Sequence, residues 1–360
     1  MASSDAAAVA GGRLSGPNWR RLRIPLVLTI AGLASLGIMA AGTLVGTSGV
    51  SLAGIGRAIL IGVSGAEIPA DFAKEYRIVW NLRFPRVLLG FLGGASLSLA
   101  GVLMQGLLRN PLVSPFTLGV SPAAAFGAAL VIIMTQASGA GTGGLEVAAA
   151  LVSALGCAAL VLGFGSFRRL SPTTLILLGI ALTQLFEALT SGLQYFASED
   201  ALSAIVRWTF GSVNDAQWYQ VQVLFALLVL SLPYLLLKAK DINAIAFTGD
   251  DVATSLGVNV PRVRIVIIAI SVVLTAVVVS FSGVIGFVGL VGPHIARLII
   301  GGNHRYLIPL ATLTGGCLLV TADMVGRIVL APVVVPVGIV IALIGVPIFI
   351  NLVLSRRGAT

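Results

Sequence analysis

Apolar residues run in blocks along this 360-residue chain, at about 24–45, 84–107, 116–135, 145–165, 172–196, 217–237, 263–281, 288–301, 306–326 and 335–355. A helix of about 20 residues crosses the roughly 30 Å hydrocarbon core of a bilayer. Lipid-exposed backbone must satisfy its own hydrogen bonds, which helices do, and the ten-residue alternating strands of a membrane barrel are not seen. The pattern predicts an all-α, polytopic membrane protein with about ten transmembrane helices. The eighth block is short for a full crossing. Glycines at 283, 286, 289 and 292 predict a broken or re-entrant entry to it, which is tolerable only inside protein or beside a cavity.

The polar interruptions set the organisation. Residues 1–23 read as a disordered cytoplasmic tail, basic at its end (Arg13, Arg20, Arg21, Arg23). The apolar run after it is long and has no clear cleavage site, so it reads as a retained span and not a signal peptide. The remainder, 24–357, reads as one transmembrane domain. The 46–80 loop, with Arg57, Glu67, Asp71, Lys74, Glu75 and Arg77, predicts short surface helices. RNPLVSP (109–115) and GPHIARL (292–298) read as two proline-marked elbows, a loose internal echo of the kind transporters carry.

The longest polar stretch of the second half is 238–264, with Lys238, Lys240, Asp241, Asp250, Asp251, Arg262 and Arg264. Asp250 and Asp251 read as helix caps, Ala253, Leu256 and Val258 give a partly apolar face, and Gly257 ends the piece. An ordinary connection is the plain alternative. A short capped helix on the membrane surface, however, suits the groove of a soluble partner. With the N-terminus inside, the inner segments hold 15 of the 22 Lys and Arg residues and the outer segments 7. That bias places both termini and 238–264 in the cytoplasm.

Composition narrows the class further. Hydrophobic residues make up 58% and charged residues 10%, against the roughly 25% charge of a soluble domain. The 43 glycines suit close helix packing in lipid. The net charge of +9 is explained by orientation in the membrane. Cys157 and Cys317 sit in apolar runs and read as small core residues. Two histidines leave too few soft ligands for a zinc or haem site. No GxxxxGK[ST] occurs, so the chain carries no P-loop of its own.

Two further constellations stand out. Arg83 and Arg86 flank Pro85 at the outer mouth of the second span, three apart, and Arg327 lies in the outer region between the ninth and tenth. They read either as headgroup anchors or as a positive contact for an acidic partner or anionic solute. Asp323, four residues before Arg327, is placed to pair with it. Gln105, Gln184, Glu187, Gln194 and Tyr195 fall within spans. Polar groups there default to a functional reading, although Glu187 could equally be neutral and bonded to a neighbouring helix. A single deep acid is thin for an ion-coupled carrier, which is the main competing class. A non-transporting scaffold is the other.

On these residues the chain resembles the FecCD-type permeases, the membrane subunits of type II ABC importers for iron-siderophore complexes, haem and cobalamin. The likeness is carried by LRFPRVLLGFLGGASLSLAGVLMQGLLRNPLVSPFTLGVSPAAAFGAAL (82–130), LILLGIALTQLFEAL (175–189), IVRWTFGSV (205–213), GDDVATSLGV (249–258), SGVIGFVGLVGPHIARLIIGGNHRYLIPLATLTGG (282–316), ADMVGR (322–327) and LAPVVVPVGIVIALIGVPIFINLVL (330–354). The resemblance implies a non-enzymatic subunit of a bacterial or archaeal inner membrane. It implies a homodimer, or a pair with a close homologue, around a translocation path. Two copies of a cytoplasmic ATPase, which carry the ATP and Mg, and an extracytoplasmic binding protein complete the assembly. Gly249, Asp250, Asp251, Ala253, Ser255, Leu256 and Gly257 are then expected to contact the ATPase. Arg83, Arg86 and Arg327 are expected to meet acids of the binding protein, and the second, fifth and tenth spans to line or gate the path. An iron(III)-siderophore is the expected cargo, with haem, cobalamin and molybdate as alternatives. No cofactor is expected in the chain itself.

Overall fold

The computed structural model describes residues 19–46, 49–137, 144–167 and 171–355. Most of the expected tail therefore lies outside the described residues, as do Arg168, Arg169, Arg356 and Arg357 of the charge count. The first helix, α1, spans Trp19–Leu44 and so begins five residues inside the segment expected to be tail.

The ten apolar blocks fold as α1, α4 (Phe84–Leu107), α5 (Val120–Ala137), α6 (Leu145–Phe167), α7 (Pro172–Tyr195), α9 (Trp218–Leu237), α12 (Val260–Ser282), α13 (Val288–Ile300), α14 (His304–Ile328) and α15 (Val337–Ser355). Among the described residues, seven apolar helices are long enough to cross a membrane, and α5, α13 and α15 are shorter apolar helices. One end of the bundle carries α10 (Ala239–Thr248) and α11 (Asp250–Ser255). The other carries α2 (Leu52–Ser64), α3 (Ala73–Tyr76), a π-helical turn over Arg77–Arg83, and α8 (Glu199–Thr209). The two termini of the described chain lie at the α10 end.

α8 has no counterpart among the expected spans. Its signal is local: Ser198 caps it through the Ala201 N–H, Glu199 and Asp200 fill the first turn, and Arg207 sits in the last. Ala201 and Ile205, four apart, are its buried face.

α4 is the axis of packing, buried over most of its length between α12, α13 and α14. Small residues bring the backbones together, as expected where lipid offers no hydrophobic drive. Ser98 Oγ donates to the Ala311 carbonyl at 2.6 Å, and Gly94 lies against the Gly315 backbone. A Cβ at Gly101 would stand 1.9 Å from the Gly289 carbonyl oxygen. Gly101→Ala is therefore expected to cost about 1–3 kcal/mol by overpacking. A lowered thermal midpoint in detergent would register it, and an unchanged one would mean that α4 and α13 do not approach so closely at this contact.

The irregular entry to the eighth span is present. α12 ends at Ser282, Gly283 takes φ 68°, and Phe287 takes φ 61° before α13 begins. At 13 residues α13 is only about 20 Å long. Protein covers the non-helical backbone before it. The Ser212 N–H donates to the Ser282 carbonyl at 2.7 Å, and Gly338 of α15 sits against the Val284 carbonyl. The second expected elbow, GPHIARL, is not a turn: Pro293 lies within α13. Its missing N–H leaves the Gly289 carbonyl without its helix partner, and Gln105 Nε2 of α4 donates to that carbonyl instead, at 3.5 Å. The first elbow is real, with Arg109 at φ 51°.

Candidate functional sites at the two ends of the bundle

At the α10 end, the polar segment folds as two helices hinged at Gly249, whose φ of 85° is in the left-handed region that favours glycine. The expectation that Asp250 and Asp251 are caps needs correction. Gly249 is the N-cap of α11, and both acids lie in its first turn, where the helix dipole favours them. Asp250 turns inward instead, and its carboxylate accepts from both terminal nitrogens of Arg264, at 2.8 and 3.0 Å. Arg264 also reaches the Leu107 carbonyl at the end of α4. The C-terminus follows expectation. The Gly257 N–H donates to the Thr254 carbonyl and the Val258 N–H to the Ala253 carbonyl, while Gly257 takes φ 88°, which is a Schellman ending.

This wiring divides the seven expected contact residues. Gly249 and Ala253 are buried, and Asp250 is held by its ion pair. Asp251, Ser255, Leu256 and Gly257 face outward, joined by Val252. Leu256 is 66% exposed, and Phe247 at the end of α10 is 64% exposed. An apolar pair is thus presented on a short element that is bolted to α4 and α12 from behind.

At the opposite end, Arg83, Arg86 and Arg327 do not form an exposed basic surface. They are a buried clasp. A helix leaves its last carbonyls without partners, and α1 ends at Leu44. Arg83 donates to the Thr43 and Leu44 carbonyls, each at 3.0 Å. Arg327 donates to the Gly42 carbonyl at 2.9 Å and the Val45 carbonyl at 2.6 Å. Arg86 grips both oxygens of Asp323, with the closest approach 2.7 Å. The expected Asp323–Arg327 pair is also present, at 3.1 Å. α1, α4 and α14 are therefore tied together by charge at this end.

The span residues do not converge either. Gln105 is buried in protein, where its Oε1 accepts from Arg297 of α13 at 3.0 Å. Gln184, Glu187 and Tyr195 lie exposed along α7, with Gln194 half-buried. Gln184 donates to Glu187 at 3.3 Å. Sequence reasoning missed a half-open cavity of about 740 Å³ at the α8 end, lined by Glu146, Arg207, Asp215, Gln217, Gln220 and Ser282 among others. Its walls come from segments far apart in the chain, so no local motif announces it. Among the described residues, no group of three or more His, Cys, Asp or Glu is placed to hold a metal ion. Cys157 and Cys317 are both free thiols.

A bundle of apolar helices packed on one central helix, with an ordered polar segment at one end, has the build of a polytopic membrane permease. The sequence places it more closely. The chain belongs to the FecCD transport family, whose profile matches residues 36–355. It is 42% identical to an ABC transporter permease protein of Methanocaldococcus jannaschii, over 77% of this chain and 82% of that one. It is 37% identical to a hemin transport system permease protein of Yersinia pestis, over 78% and 84% of the two chains. The solved structure of a metal-chelate type ABC transporter in an inward-facing conformation superposes with a TM-score of 0.79 at 32% identity, covering 92% of this chain and 99% of that one. The fold is that of a type II ABC importer permease, and the chain is the membrane permease subunit of such an importer. ATP hydrolysis belongs to a separate partner chain.

Proposed function

We propose that this subunit forms the path for an iron(III) chelate of the siderophore type, handed over by an extracytoplasmic binding protein and driven by two cytoplasmic ATPases. The observation that carries the reading is the outward face of α11. Leu256 and Phe247 stand proud of a segment that Asp250, Arg264 and the Leu107 carbonyl hold rigid. A surface built to be pushed has that form: an apolar contact outside, an ion pair and close packing behind. The basic excess at this end supports a cytoplasmic position for it and for both termini, with the bundle in a bacterial or archaeal inner membrane.

The exposed polar row on α7 supports a second copy of the chain. Gln184 and Glu187 within a span are costly against lipid, and a twofold partner would enclose them beside a shared path. Arg83, Arg86 and Arg327 underlie the receiving surface at the α8 end, where they hold the ends of α1, α4 and α14 in register for the binding protein. Haem is the second reading for the cargo, favoured by the Yersinia pestis relative.

The test is reconstitution of the chain in proteoliposomes with its ATPase and binding protein, the ligand of the binding protein being identified by mass spectrometry. Uptake is expected only when ATP and the loaded binding protein are both present, with an iron chelate as the ligand. Full uptake on a proton gradient without nucleotide would overturn the transport reading. Bound haem or cobalamin would overturn only the cargo.

A further inference from the structure

Behind the outward face of the polar segment lies a second, quieter contact. α14 starts at the α10 end with Asn303 as its N-cap, whose side chain accepts from the Arg305 N–H at 3.1 Å. The donor before it, the His304 N–H, is satisfied from outside the helix: it donates to Asn243 Oδ1 of α10 at 2.9 Å. Asn243 Nδ2 in turn donates to Asn303 Oδ1 at 2.9 Å. A helix N-terminus leaves four such N–H groups without partners, and a side chain that accepts from one stabilises the helix start. Here the cap comes from 61 residues away.

The imidazole completes the joint. A backbone N–H can only donate, so the Asn243 atom it meets is the amide oxygen. The His304 Nδ1, 2.8 Å from that same oxygen, must then carry a proton and donate as well. Nε2 points the other way, into α4: a Cβ at Gly106 would stand 2.5 Å from it. Gly106 is thus the hole that the ring fills, and His304 is 3% exposed. Three elements meet at one side chain: α10 through Asn243, α14 through its own backbone, and α4 through Gly106.

What α14 does at its other end makes the joint matter. It continues as one helix for 25 residues, about 37 Å, with Pro309 removing a single hydrogen bond near its start, to Asp323 and Arg327, which hold Arg86 of α4 and the last carbonyls of α1. A helix of this kind transmits a push along its axis as a rod, provided its near end is fastened to what is pushed. We propose that Asn243 and His304 are the positioning residues that fasten α14 to the polar segment, so that a displacement of α10 and α11 arrives at the clasp on the opposite face. The proposal rests on the reading that α11 meets the ATPase. It adds the element through which that contact is felt across the membrane.

The experiment uses the reconstituted complex and single nitroxide labels, in a background with Cys157→Ala and Cys317→Ala. One sample carries the label at Ser255 on α11 and another at Ile328, the last residue of α14. In the otherwise unsubstituted chain both labels are expected to change mobility between the nucleotide-free and ATP-bound states. Asn243→Leu, which cannot cap, is expected to keep the Ser255 response and lose the Ile328 response. Asn243→Asp, which keeps the acceptor oxygen, restores it, and thermal midpoints measured alongside separate this from simple loss of stability. Gly106→Ala, which displaces the His304 ring from the α4 side, repeats the loss if the leucine variant does not fold. An Ile328 response that survives both substitutions, or that Asn243→Asp fails to restore, overturns the joint alone. Silence at Ser255 in the unsubstituted complex overturns the ATPase contact and the joint with it.

Discussion

Replacing Asp323 with alanine is expected to damage the fold more than any other single change at the bundle's polar sites. Its carboxylate is 5% exposed and serves two guanidinium groups, those of Arg86 and Arg327, whose side chains are 14% and 8% exposed. Removing one member of a buried ion pair leaves uncompensated charge in a poorly solvated place, at a cost of about 3–5 kcal/mol. Two cations are stranded here. The damage also reaches α1, because Arg327 can no longer be held toward the Gly42 and Val45 carbonyls by the Asp323 charge. Asp323→Asn keeps an acceptor and is expected to fall between. Unfolding of the purified protein in detergent, followed by heat, measures both. If the alanine variant melts with the native protein, the clasp contributes nothing to cohesion.

The second large effect is at the opposite end and spares the fold. Leu256→Asp places a charge on the outward face of α11 while leaving Asp250, Arg264, Ala253 and the Gly257 ending as they are. An exposed apolar anchor in a helix-in-groove contact behaves as a hot spot worth about 2 kcal/mol or more, so affinity for the ATPase should fall about 30-fold or further. Co-purification of the ATPase with the membrane subunit, with an unchanged thermal midpoint, is the measurement. Retention of the partner at native levels would mean that it grips somewhere other than α11.

Much of this architecture is legible in the sequence because spans in lipid are defined by length and apolarity, both local properties. The expected 84–107 and 217–237 match α4 and α9 to within one residue, and the short eighth span with its glycine-marked entry appears as α13. What local reading cannot supply is the partner of a polar side chain. Arg83 and Arg86 look like a surface pair because they are three apart, yet one turns to α1 and the other to a carboxylate 237 positions later. Asp250 looks like a cap because of its place before a helix, yet a bidentate arginine 14 residues on outbids that role. Gln105 looks like a path residue because amides are rare in spans, yet Arg297 accounts for it. The Asn243–His304 contact had no signal at all, since neither residue is unusual at its own position.

The bent backbone between α12 and α13 bears on how the chain is made. The carbonyl at 282 is met by the Ser212 N–H, which the ribosome has already delivered, and the backbone at 284 is covered first by Gly211 and, more than 50 residues later, by Gly338. Until α15 arrives, this kink cannot be left against lipid, where each unsatisfied group costs several kcal/mol. The nascent kink is therefore expected to stay against protein already made, or within the insertion machinery, until α15 completes its cover.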